Sequence, residues 1–84
     1  MQTFRIDISK TAYKFLKKQD EKQRLRLYKA IYKLPDGSDI KALSGTDFYR
    51  LRVGDCRVIY RIDTTSNRIW IENINNRGDV YKHL

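Results

Sequence analysis

The sequence predicts an α+β domain of the order β-α-α-β-β-β, with a twisted, mainly antiparallel four-stranded sheet and a two-helix hairpin packed on one face. Three observations carry this expectation. Apolar and polar residues alternate over residues 3–8 and again over 48–62, the period of strands with one buried face. Between them, residues 10–34 change to helical spacing. Turn residues, Gly54-Asp55 and then Thr64 to Asn67, divide the second half into strands. Eighty-four residues suffice for a single domain spanning 1–84 and are too few for two.

Each element has its own justification. Phe4, Ile6 and Ile8 alternate with Thr3, Arg5 and Asp7, giving the first strand. Ser9 is suited to cap a helix over "KTAYKFLKKQ", in which Ala12, Phe15 and Leu16 share a stripe. Asp20 caps a second helix, "EKQRLRLYKAIYKL", whose Leu25, Tyr28, Ile31 and Tyr32 share a face to which Leu34 adds; Pro35-Asp36-Gly37 stops it. The gap between the helices is short enough for a hairpin. Residues 37–47 read as a loop pinned by Ile40 and Leu43. "RIWIENI" from Arg68 is the last strand, and its apolar spacing changes between Ile71 and Ile74, which predicts a bulge there.

The stretch "FYRLRVGDCRVIYRI" carries the functional signal. Glycine at the first central position of a two-residue loop suits a type II′ turn, so Gly54-Asp55 joins two strands directly. Counting outward pairs Val53 with Cys56, Arg52 with Arg57, Leu51 with Val58, Arg50 with Ile59, Tyr49 with Tyr60, and Phe48 with Arg61. One face is then apolar: Tyr49, Leu51, Val53, Cys56, Val58, Tyr60 and Ile62. The other carries Phe48, Arg50, Arg52, Arg57, Ile59 and Arg61. Directly opposed like charges such as Arg52 and Arg57 oppose folding by an amount comparable to the roughly 0.2–1 kcal/mol of an ordinary cross-strand pair. Solvated arginines eased by Asp47, Asp63 or Glu72 are the bland explanation. An anionic ligand is the more economical one, because guanidinium groups hold phosphate oxygens in bidentate geometry.

Composition agrees. The net charge of +8 favours a polyanionic partner, nucleic acid or an acidic protein. The single cysteine, Cys56, cannot close an intramolecular disulfide, and no Cys/His cluster has metal-ligand spacing, so neither metal nor cofactor is expected and a reducing cytoplasm fits. No apolar run is long enough for a membrane span, and "MQTFRIDISK" lacks the apolar core of a signal peptide. In the C-terminal "NNRGDVYKHL", Gly78 allows a sharp turn after Arg77, and Tyr81 beside fixed positive charge would have its phenol pKa lowered and serve as a base. His83 is the default acid/base residue by type but is penultimate. Trp70 has the parity opposite to Ile69 and Ile71, so it belongs to the open face, either packing there or stacking on a base.

The order of elements, "IKALSG", "YRLRVGDCRVIY" and the closing "RGDVYK" resemble the RelE/ParE superfamily of bacterial toxin–antitoxin systems over nearly the whole chain, most closely its RelE-type toxins. The resemblance implies an mRNA endoribonuclease that enters the ribosomal A site, cleaves the bound codon, stops translation and is neutralised by a cognate antitoxin. It implies that Arg50 and Arg52 hold mRNA phosphates, that Arg57 and Arg77 stabilise the scissile phosphate, and that Tyr81 activates the ribose 2′-hydroxyl or stacks on the mRNA. The implied product is a 2′,3′-cyclic phosphate. No member of this set is an evident general acid, since arginine releases its proton only above about pH 12. Cys56 departs from a position often aromatic in the family, and core-side placement makes that a matter of packing. The alternative is a ParE-like toxin that inhibits DNA gyrase by binding, without nuclease activity.

Overall fold

The computed structural model describes residues 3–76. Seven elements follow in order: β1 (Arg5–Ile8), α1 (Lys10–Lys18), α2 (Glu21–Tyr32), β2 (Ile40–Ala42), β3 (Tyr49–Val53), β4 (Cys56–Asp63) and β5 (Arg68–Asn75). The strands form a single sheet of order β1-β5-β4-β3-β2, antiparallel except where β1 runs parallel to β5. The α+β class is as expected, but the sheet has five strands where four were predicted. The extra strand, β2, lies in the segment read as a loop. Its three residues are too few for a period to show, and it is held by pairing Ile40 with Leu51, Lys41 with Arg50 and Ala42 with Tyr49.

Both helices begin as the sequence indicates. The Asp20 carboxylate accepts from the Gln23 N–H at 2.8 Å. Ser9 Oγ accepts from the Ala12 N–H at 3.1 Å and donates to the Glu72 carbonyl at 2.7 Å. That second bond explains a link between α1 and the sheet. Ile59 pairs with Asn73 and Tyr60 with Ile71, so Glu72 is the extra residue of a bulge in β5, at the position the sequence predicts. The ladder does not use the bulged residue fully, and the Ser9 hydroxyl supplies a donor. Ser9→Ala removes a cap and this donor together and is expected to cost about 1–2 kcal/mol, read as a lower denaturant midpoint at unchanged slope.

The core lies between the helices and one sheet face. Ala12, Leu16, Leu27 and Ile31 meet Leu51, Val58, Tyr60, Ile69, Ile71 and Ile74, with Phe15 half-buried against them. The expected α1 stripe is therefore the buried one. The face of α2 is corrected: Leu27, Ile31 and Leu34 are inward, whereas Leu25 and Tyr32 are 54% and 62% exposed. α2 has two apolar rows, one through 25, 28 and 32 and another through 27, 31 and 34. The first contains two tyrosines, whose hydroxyls accept a wet surface, and Tyr28 and Tyr32 stack on each other with centroids 6.1 Å apart. The purely aliphatic row faces the sheet. Arg24 fastens the two helices by donating to the carbonyls of Leu16, Lys17 and Gln19 at the end of α1.

Tyr60 stacks on Tyr49 across the hairpin at 5.6 Å. Burial, with Tyr49 adding to it, pushes the Tyr60 phenol up from 10.0 to about 12. The folded chain thus keeps a proton that the unfolded chain releases at its ordinary value. This contribution is fully present below pH 10 and is lost as pH rises from there towards 12. Tyr60→Phe is expected to flatten that alkaline decline in unfolding free energy.

Candidate nucleic-acid interface

The hairpin places the arginines. Gly54 sits at φ +59°, and Asp55 is not among the described residues with positive φ, which is the pattern of a type II′ turn. The register between β3 and β4 is the one counted from the turn: Val53 with Cys56, Arg52 with Arg57, Leu51 with Val58, Arg50 with Ile59 and Tyr49 with Tyr60. Leu51, Val53, Cys56, Val58 and Tyr60 are buried on the helix side, and the arginines stand on the other. Cys56 receives the Gln23 amide N–H at 3.2 Å, so its role in the described structure is packing against α2.

Following the register across all strands sorts the outward face into rows. The row next to the turn runs Arg52, Arg57, Asn75. The next runs Lys41, Arg50, Ile59, Asn73. Successive rows are about 7 Å apart, two residues of strand rise. β2 therefore contributes a further cation, Lys41, opposite Arg50. Two like-charged pairs face each other directly, Lys41 with Arg50 and Arg52 with Arg57. Ile59 is only 3% exposed although it stands on this face.

The four positively charged positions are not equivalent. Arg52 and Lys41 are exposed, and Arg57 is half-buried. Arg50 is held down: its side chain is 17% exposed, and Nη2 donates to Asp39 Oδ1 at 2.8 Å. Its Nε is buried without a hydrogen-bond partner, which leaves a donor of that guanidinium unspent. The carboxylate that eases the repulsion at Arg50 is thus Asp39, eleven residues away, while Asp63, one of the expected carboxylates, is close enough to Arg61 for that guanidinium to add to the Ser66 and Thr65 hydrogen bonds that hold its carboxyl down. No sequence signal identified Asp39, because it becomes a neighbour only through the pairing of β2 with β3. Its backbone carbonyl also receives the Arg52 N–H at 3.0 Å.

A third outward row runs Arg61, Trp70, Asp7, and Phe48, the residue before β3 and beyond the last pair of the β3–β4 ladder, lines a cleft together with them. Trp70 is on the open face as its parity indicated, half-buried, and its indole N–H donates to the Glu72 carboxylate. Asp63, at the end of β4, accepts hydrogen bonds from Ser66 and Thr65 in the turn to β5, and these hold its carboxyl below the ordinary value. Arg77, Tyr81 and His83 lie outside the described residues. Arg50, Arg52 and Arg57 are accordingly the predicted site residues whose association is visible, on one face and in adjacent rows. Among the described residues no group of His, Cys, Asp and Glu could hold a metal ion, and no helix is long and apolar enough to cross a membrane.

The chain is similar to known proteins over most of its length. Residues 6–81 match the model of the ParE toxin of type II toxin–antitoxin system, parDE. The RelE chain of the archaeal RelE–RelB complex from Pyrococcus horikoshii is 30% identical, with a TM-score of 0.77 over 90% of this chain and 97% of that one. The Methanococcus jannaschii RelB–RelE antitoxin–toxin complex contributes a match of 25% identity and TM-score 0.72, covering 92% of this chain and 96% of that one. The isolated RelE toxin of E. coli shares the fold at 18% identity, TM-score 0.74, over 96% and 94% of the two chains. Among curated protein sequences nothing matches.

Proposed function

We propose that this chain, which belongs to the RelE/ParE superfamily of type II toxin–antitoxin toxins, is a ribosome-dependent mRNA endoribonuclease neutralised by a cognate antitoxin. The observation that carries the proposal is the outward sheet face on which Lys41, Arg50, Arg52 and Arg57 stand in two adjacent rows. A surface built of directly opposed cations is costly for folding alone and is compensated when phosphates lie between them.

In this scheme Arg50 and Arg52 hold the strand, and Arg57 and Arg77 stabilise the reacting phosphate. Tyr81, as phenolate, takes the proton of the ribose 2′-hydroxyl. The 2′-oxygen attacks the adjacent phosphorus, the P–O5′ bond breaks, and the departing 5′-oxygen takes a proton from solvent water, giving a 2′,3′-cyclic phosphate and a 5′-hydroxyl. The transition state accumulates negative charge on the phosphoryl oxygens, where fixed guanidinium groups are most effective. An acid/base set this sparse relies on an external body to orient the substrate, which is the contribution assigned to the ribosomal A site. The antitoxin, like RelB in the complexes named for it, is expected to occupy the toxin and silence it.

The family model that matches is that of a ParE toxin, which keeps a second reading in view: gyrase inhibition by binding alone. Mapping mRNA 5′ ends after induction of the chain in a bacterium decides between them. Codon-phased cleavage is expected; intact mRNA accompanied by double-strand DNA breaks would establish the gyrase reading instead.

A further inference from the structure

The third row of the outward face ends in a cleft whose chemistry differs from that of the arginine rows. We propose that this cleft is a base-binding subsite, in which a nucleobase of single-stranded RNA stacks against Trp70 and Phe48 while its strand runs onto Arg50 and Arg52. The proposal rests on the nuclease reading for the identity of the strand and adds where a base is read.

The cleft has a volume of about 750 Å³ and is lined by Phe48, Arg61, Trp70, Asp7, Asp47 and Arg68 among others. Three aromatic residues line it: Tyr49, which stacks on Tyr60, and the half-buried Phe48 and Trp70. The ring pairs among the described residues are Tyr28–Tyr32 and Tyr49–Tyr60, so neither Phe48 nor Trp70 stacks on another ring of the described residues. The Trp70 ring is nonetheless held, since its N–H is bonded to Glu72 at the bulge. A fixed and unstacked indole beside a guanidinium is a platform that suits any nucleobase.

The charges at the rim decide between a phosphate and a base. Asp7, Asp47 and Asp63 are acceptors; Asp63 Oδ1 already receives the N–H groups of Thr65 and Ser66, and Asp7 is spanned only loosely by Arg5 at 3.5 Å and Arg68 at 4.0 Å. Carboxylates repel a phosphate, but they accept hydrogen bonds from the exocyclic amino groups of cytosine, adenine and guanine. Uracil has none. The face is therefore divided along the strands: a cationic end fit for phosphates, and one row further, about 7 Å away, an aromatic end of mixed charge, where Asp7, Asp47 and Asp63 stand with Arg61 and Arg68 and the carboxylates can receive an amino-bearing base. A single strand of RNA can satisfy both at once, its phosphates on the arginine rows and a base in the cleft.

The chain has one tryptophan, so its emission reports this cleft directly. The test titrates the full chain with 2′-O-methyl hexanucleotides, which lack the nucleophilic hydroxyl and so are not cleaved, carrying a 5′ dye for anisotropy. Cytosine and adenine oligomers are expected to quench Trp70 saturably and to bind several-fold more tightly than uracil oligomers, while inorganic polyphosphate leaves the emission unchanged. Phe48→Ala is expected to weaken oligonucleotide binding roughly tenfold. A rise in anisotropy with Trp70 emission unmoved would overturn the subsite and leave the phosphate-binding surface standing. Equal quenching by polyphosphate would also overturn it, and equal affinity for cytosine and uracil oligomers would remove the role of the carboxylates. No binding of any oligonucleotide would overturn the subsite together with the RNA-binding face, and the mapping of mRNA ends would then judge cleavage independently.

Discussion

Arg57→Ala is expected to lower mRNA cleavage by roughly 10²- to 10³-fold, the usual consequence of removing a preorganised donor from a site where negative charge develops. The expectation follows from where β4 puts the residue. Arg57 is the second residue after the turn, on a strand flanked by β3 and β5, and is paired across both ladders with Arg52 and Asn75. A side chain rooted in the middle of a sheet has a fixed origin, so its guanidinium is aimed before substrate arrives. Arg57→Lys retains the charge and loses the fork, and an intermediate rate is expected.

The loss must be separable from unfolding. Arg57 faces away from the core, and removing it relieves the opposition to Arg52, so the change in unfolding free energy should stay within about 1 kcal/mol. A rate loss accompanied by wild-type unfolding places the effect in the chemistry. Codon-phased cleavage at an undiminished rate in a folded Arg57→Ala chain would remove this residue from the mechanism.

The hairpin was legible because its determinants are local. Gly54 permits the turn's positive φ, a two-residue loop fixes the register, and period-2 alternation then assigns each face; Ser9, Asp20 and the bulge at Glu72 are local in the same sense. What escaped depends on contacts distant in sequence. β2 is three residues long and is recognisable only by what it pairs with. The buried side of α2 was ambiguous because two apolar rows are available, and the sheet, not the helix, chooses between them. The Asp39–Arg50 pair is the most consequential omission, since it changes how available an expected phosphate-binding residue is. Lys41 was missed for the same reason as β2, and it enlarges the cationic surface beyond the hairpin.

That omission shapes the second large expectation. The double substitution Arg50→Ala, Arg52→Ala should weaken binding of single-stranded RNA roughly 10²-fold at low salt, at about 1.5 kcal/mol for each charged partner lost. The two should not share the loss equally. A phosphate approaching Arg50 must compete with Asp39, already 2.8 Å from Nη2, whereas Arg52 is exposed, so Arg52→Ala alone should cost more than Arg50→Ala alone. Salt provides an independent reading of the same surface. Each cation that neutralises a phosphate of a single strand contributes about 0.7 to the slope of log affinity against log salt, so the double variant should flatten that slope by up to about 1.4. An unchanged slope would mean that the strand does not touch these residues. An equal loss from each single variant would mean that the Asp39 pair opens without cost when RNA binds, and Asp39→Asn would then leave the affinity as it was.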